Sequence, residues 1–201
     1  MYSGLMGGTF DPIHLGHLHI ARTALSDLAL DRVIFLPDGD PPHKQPEATG
    51  AQRLEMARLA CEGEKGFEVS DMELRRSGTT YTVDTLRAIR ESCPKERLVY
   101  LIGSDTLFYF HTWKTSQEVA KLCSMAIVMR PGNTRGEVES RQRELKESHG
   151  LDSVILSSPG LPVSSRLVRR AAARGEELSR LVPKKVAEYI RQQGLYRSPR
   201  P

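Results

Sequence analysis

The densest group of chemistry-capable residues lies near the start of the chain, in Gly7-Gly8-Thr9-Phe10-Asp11-Pro12-Ile13-His14-Leu15-Gly16-His17. Two adjacent glycines let a phosphate approach the backbone with no Cβ in the way. His14 and His17 are three residues apart, a spacing that puts two side chains on one side of a helical turn. A helix beginning here would offer unpaired N–H groups and the positive end of its dipole. Both imidazoles could then point at one anion, with Gly16 between them leaving space for it. Singly, each piece has an ordinary explanation: a surface histidine, or a glycine pair in a turn. Together they predict anion chemistry at the start of a helix.

Such a group must be held by a frame, and the rest of the chain supplies one. Short apolar runs alternate with amphipathic stretches, the pattern of a parallel sheet covered by helices. Strands are predicted at Tyr2 to Met6, Arg32 to Leu36, Leu98 to Ile102, Ala126 to Met129 and Val154 to Leu156, with a looser one at Phe67 to Leu74. Leu18, Ala21, Leu25 and Leu28 follow 3-4-3 spacing and predict a helix from about Leu15 to Leu30. Further helices are expected at Arg53 to Cys61, Val83 to Glu91, Gly136 to Ser148, Ser165 to Arg174 and Pro183 to Gln193. The fourth is charged on most sides and expected to face solvent. Gly175 is a suitable residue just past the fifth, and Gly194 just past the last. The glycine–histidine segment thus falls between a first strand and a first helix. In a doubly wound sheet that position lies at the carboxyl ends of strands, where ligands bind.

Bulk properties narrow the classes. The chain has 201 residues, 39% hydrophobic and 27% charged, enough for one α/β domain with a real core. No apolar run approaches the roughly 20 residues that span a bilayer, and no presequence pattern precedes the first strand. Cys61, Cys93 and Cys123 lie too far apart for a zinc motif or a disulfide framework, so free thiols in a cytoplasmic protein are expected. The net charge of +4 suits a polyphosphate ligand as well as RNA.

At HxGH after GGTFDP, the sequence resembles the nucleotidylyltransferase superfamily, and the whole string resembles its bacterial nicotinate mononucleotide adenylyltransferases. The resemblance covers nearly the whole chain. Pro37 to Lys44 resembles the family's PxxxPPHK loop, Tyr81 to Leu86 its YTxDTL segment, and Gly103-Ser104-Asp105 with Trp113 its GxD…W element. Arg130-Pro131-Gly132 is also typical, and Val163 to Arg169 resembles ISSTxIR. One position departs: Arg166 stands where threonine is usual. The resemblance implies a doubly wound parallel sheet of Rossmann-like nucleotidylyltransferase type. One domain is expected over 1–196, with the last helices (about 165–196) packing as a C-terminal subdomain and 197–201 as a tail.

The implied reaction joins nicotinic acid mononucleotide to the AMP half of ATP. The nucleophile is already an anion, so the protein must supply cations and N–H donors rather than a nucleophilic Ser or Cys. The catalytic candidates are His17 first, with His14 beside it, and Lys44 on a Pro-stiffened loop. Gly7, Gly8, Thr9, Phe10 and Gly16 are expected at ATP, together with Ser164, Ser165 and Arg169 at its phosphates. By resemblance, Asp105 accepts from the adenosine ribose while Gly103 permits close approach; Asp105 could cap a helix at the same time. Trp113 would stack on the pyridine ring, the competing role being core packing. Tyr81 and Thr82 would present backbone N–H groups to the nicotinate carboxylate. Arg130 would bind the mononucleotide phosphate, with His43 nearby. Mg2+ would ride on the ATP phosphates, with no protein metal site expected. No nucleic acid or membrane partner is expected, and a homo-oligomer stays open.

Rival readings are another HxGH enzyme acting on phosphopantetheine or nicotinamide mononucleotide, a class I aminoacyl-tRNA synthetase, and a nucleotide- or RNA-binding module without turnover. Trp113 and the Tyr81 to Leu86 segment favour a pyridine nucleotide. No KMSKS-like segment is present, and the aromatic-basic interleaving of RNA-stacking surfaces is missing.

Overall fold

The computed structural model describes residues 1–39 and 45–197. Six strands form one sheet: β1 (Tyr2–Gly8), β2 (Arg32–Pro37), β3 (Phe67–Val69), β4 (Arg97–Gly103), β5 (Ser124–Val128) and β6 (Ser153–Ile155). Their order is β3-β2-β1-β4-β5-β6, and every neighbouring pair is parallel. From β1 the chain builds outward in one direction through β2 and β3. It then returns to place β4 on the other side of β1. The crevice at that reversal is where open α/β sheets bind ligands.

The helices are α1 (Leu15–Leu28), α2 (Gly50–Cys61), α3 (Thr82–Ser92), α4 (Ser104–Tyr109), α5 (Ser116–Leu122), α6 (Arg135–His149), α7 (Ser165–Ala173) and α8 (Lys184–Gln192), with a 3-10 turn at Phe110–Thr112. They cover both faces of the sheet. One core joins Phe35, Leu18, Ala21 and Met56 to Val186 and Ile190 of α8. The other joins Tyr100 and Met125 to Leu86, Leu107, Phe110 and Val138. Both faces of β4 are thereby buried, as a near-continuous apolar run requires.

Helix starts follow local chemistry. Thr49 and Gln52 form a capping box at α2, and Thr134 and Glu137 form one at α6. The boundary of α2 therefore falls three residues before the periodic stretch that predicts it. Gly150 and Gly175 end α6 and α7 in the left-handed region, at φ 70° each.

Three expectations change. The looser strand stops at Val69, and residues beyond it fold into a turn in which Arg75 N donates to Asp71 O. The buried Glu73 lies in that turn. The helices α4 and α5 were not foreseen, because six and seven residues are too few to display a period. Helix α6 does not face solvent all round: Val138 and Leu145, two turns apart, are fully buried. Among the described residues no helix is long and apolar enough to cross a membrane.

Candidate active site

A cleft of about 370 Å³ opens at the carboxyl ends of β1 and β4. Gly7, Gly8, Thr9, Phe10 and His17, from β1 through α1, line it together with Gly103, Asp105 and Arg130, and Thr82, Trp113 and Ser165 also border it. The end of β1 requires glycine for a packing reason as well as a ligand reason. A Cβ at Gly7 would run into the Tyr100 hydroxyl. A Cβ at Gly103 would lie 2.5 Å from Arg130 Nε and still closer to the Asp105 carboxylate.

The two histidines do different things. His17 Nδ1 accepts from the His14 backbone N–H at 3.2 Å. That bond leaves the His17 proton on Nε2, the edge available to a ligand. The Phe10 ring meets His17 edge-on at 5.0 Å and fixes its plane. Phe10 itself is 2% exposed and holds φ 48°. His14 is the N-cap residue of α1 and stacks on His17 with ring centroids 3.7 Å apart. Burial, with a smaller contribution from Arg130, pushes its pKa down to about 4, so it is neutral at neutral pH. His14 does not line the cleft. A Cβ at residue 16 would lie 2.9 Å from His14 Nδ1, so the room that Gly16 provides holds the His14 ring rather than an anion. Both imidazoles are expected from the sequence to face one ligand; in the structure His17 lines the cleft, and His14 does not but stacks on the His17 ring.

The β1–α1 loop is pinned from three sides. The buried Asp11 carboxylate accepts from Glu47 N (2.8 Å), Ala48 N (3.1 Å) and the Tyr196 hydroxyl (2.7 Å). Arg53, 2% exposed, donates to Thr9 O and Asp38 O at 2.8 Å each and to Gly39 O at 3.3 Å. It ties the loop after β1 to the loop after β2. Thr9 Oγ1 also donates to Asp38 at 3.0 Å. Sequence reasoning missed Arg53, Asp38 and the role of Asp11. The available signal was an arginine on the face otherwise made by Met56, Ala57 and Ala60.

At α7, Ser164 is the N-cap and accepts from Leu167 N at 3.2 Å. Ser165 is the first helical residue; it lines the cleft and donates its hydroxyl to Pro12 O at 2.9 Å. Arg169 does not line the cleft. It donates to Asp11 O at 2.7 Å and pairs with Glu47 at 2.7 Å. Arg166, one residue on from Ser165, is exposed.

Trp113 is half-buried, edge-on to Tyr100 at 6.0 Å and against Phe110 at 5.5 Å. It therefore packs on the core and borders the cleft at once. Thr82, the first residue of α3, borders the cleft as well. Tyr81 is the N-cap of α3, outside the cleft lining, with Lys114 Nζ over its ring at 4.2 Å. Asp105 is the second residue of α4 and not its cap, which is Gly103. Arg130 Nε lies 3.7 Å from the Asp105 carboxylate, both about half exposed. His43 and Lys44 lie outside the described residues. Among those residues no group of three or more His, Cys, Asp or Glu side chains could hold a metal ion.

The arrangement can hold a polyanion over backbone N–H groups beside a Nε2–H donor, with a flat ring also lining the cleft. Comparison with known proteins gives the family. The cytidylyltransferase-like family model matches residues 5–171. A Neisseria meningitidis serogroup B protein is 44% identical over 199 residues, spanning 96% of this chain and 97% of its own. A Clostridium tetani protein is 37% identical over 195 residues, spanning 96% and 98%. Both carry the name "Probable nicotinate-nucleotide adenylyltransferase". Among solved structures, the Plasmodium falciparum nicotinic acid mononucleotide adenylyltransferase complexed with NaAD superposes with a TM-score of 0.78 at 17% identity, covering 97% of each chain. With near-complete coverage by relatives at these identities, the chain belongs to the nicotinate-nucleotide adenylyltransferases of the cytidylyltransferase-like family.

Proposed function

We propose that the protein transfers the adenylyl group of ATP to nicotinic acid mononucleotide, releasing pyrophosphate and forming nicotinic acid adenine dinucleotide for NAD biosynthesis. The observation that carries this reading is the cleft itself, which both His17 and Trp113 line. A phosphate oxygen of the mononucleotide attacks the α-phosphorus of ATP. The bond to the bridging oxygen breaks, and pyrophosphate leaves with the electron pair. Catalysis then rests on alignment and on charge stabilisation.

In this reading His17 donates from Nε2 to a non-bridging α-phosphate oxygen, and His14 holds the orientation of that ring. Gly7, Gly8 and Thr9 bring backbone to the triphosphate. Asp105 accepts from the ribose once Arg130 turns to the mononucleotide phosphate. Ser165 and the start of α7, capped by Ser164, take the β- and γ-phosphates, and Arg169 joins them by exchanging Glu47 for phosphate. Trp113 stacks on the pyridine, while the first turn of α3 at Tyr81 and Thr82 receives its carboxylate. Lys44 supplies a cation to the phosphates, and His43 contributes to binding the mononucleotide. Mg2+ is carried on the triphosphate. Cytoplasmic placement accords with the cysteines, all free thiols. Pyrophosphate release, measured with ATP and each pyridine mononucleotide in turn, tests the assignment. Turnover is expected with the acid in preference to the amide, and absence of release with the acid would overturn it.

A further inference from the structure

Glu73 and Thr85 have no task in adenylyl transfer as described, yet both are buried, at 3% and 0% exposed. Glu73 sits in the turn between β3 and α3. Thr85, one turn into α3 from Tyr81, donates its hydroxyl to the Glu73 carboxylate at 2.7 Å. Arg76 completes the chain, donating to Thr85 Oγ1 and to Asp84 O at 3.3 Å each. On its other side, the Glu73 backbone packs so closely on Gly39 that a Cβ there would lie 3.0 Å from its carbonyl carbon. One residue therefore braces the first turn of α3 and the end of the β2 loop, two borders of the cleft.

The groups facing Glu73 are Thr85 from α3, Arg76 from its own turn, Asp38 from beyond β2 and Tyr100 from β4. Burial pushes its pKa up to about 7, with Asp38 adding to the rise while Thr85 and Arg76 oppose it. Helix α3 presents the positive end of its dipole to the cleft at Thr82. A carboxylate buried behind that turn weakens the attraction when charged and leaves it whole when protonated.

We propose that Glu73 is the positioning residue of the mononucleotide end: through Thr85 it sets the first turn of α3, and its protonation is coupled to occupancy of that turn by the substrate's carboxylate. The inference rests on the adenylyltransferase reading above. The coupling is reciprocal, so binding the acid mononucleotide draws a proton onto Glu73, and raising pH weakens binding.

The test is calorimetry of mononucleotide binding from pH 6 to 8.5, in buffers of different ionisation enthalpy. Wild type is expected to lose about tenfold in affinity for nicotinic acid mononucleotide across that range, within the usual scale of site–site coupling, and to take up about half a proton at pH 7.5. Glu73→Gln should remove that uptake and flatten the profile, with the KM for ATP unchanged. Nicotinamide mononucleotide has the same phosphate and no carboxylate, so it should show the smaller uptake in wild type. This comparison needs no variant and decides the matter even if Glu73→Gln fails to fold. Thr85→Val should raise the KM for the mononucleotide alone, and Thr85→Ser should restore it. Equal uptake for acid and amide, or coincident pH profiles for wild type and Glu73→Gln, would overturn the coupling while turnover persists. A wild type that turns over neither mononucleotide would remove the underlying reading instead.

Discussion

His17 illustrates how a single backbone hydrogen bond selects a reagent. With Nδ1 accepting from His14 N–H, the ring can present only a Nε2 donor to the cleft. His17→Ala should lower kcat by on the order of 10²–10³, the cost of losing one preorganised donor to developing charge. The KM for ATP should move much less. Steady-state kinetics on the folded variant decide this, and near-wild-type turnover would take His17 out of the mechanism. Trp113, the chain's one tryptophan, gives a second handle. Nicotinic acid mononucleotide should change its fluorescence while ATP alone does so far less, and Trp113→Ala should raise the KM for the mononucleotide selectively. Because Trp113 also packs on Phe110 and Tyr100, equal effects on both substrates would assign it a purely structural role.

Between elements, Arg53 does what no single loop could do for itself. Its guanidinium, rigid and forked, reaches the loops after β1 and β2 together. Arg53→Met keeps the length and removes the donors, leaving buried carbonyls unpaired at roughly 1–3 kcal/mol each. Lower stability in urea is expected together with a fall in kcat/KM, since Thr9 and Asp38 both border the cleft. Arg53→Lys should recover little of either, because one ammonium cannot fork between the loops. Activity equal to wild type in Arg53→Met would show that the loops hold their places unaided.

Over the whole molecule, two buried groups set opposing pH dependences. His14, pushed from 6.5 to about 4, leaves the folded state with fewer protons than the unfolded chain between those values. Its contribution to stability is therefore lost as pH falls through that window, by up to about 3 kcal/mol. Glu73, pushed from 4.5 to about 7, gives the folded state more protons, so stability falls as pH rises through its window. Between pH 4.5 and 6.5 the two slopes nearly cancel. His14→Asn should uncover a stability that declines with rising pH there, and Glu73→Gln one that climbs. Urea unfolding at pH 5 and 6.5 reads both, and variants that keep the wild-type slope would refute the account.

Local pattern was enough to locate the strands, the main helices and the glycine–histidine turn between the first of each. Periods of 2 and 3.6 residues and the chemistry of glycine act within a few positions of the chain. Family resemblance added the remaining motifs in order. Together they rank His17 ahead of His14 but aim both rings at the ligand, and do not separate the one that lines the cleft from the one behind it. That separation comes from Gly16, whose missing side chain lets the His14 ring sink inward. Nor could a local pattern set β4 beside β1, which creates the cleft, or bring Tyr196 onto Asp11 from 185 residues away. Arg53 and Glu73 receive no role from the sequence, because their burial depends on elements that close over them only in the folded chain. Spacing specifies which residues share a face; long-range packing decides what that face meets, and so which of the two histidines reaches the cleft.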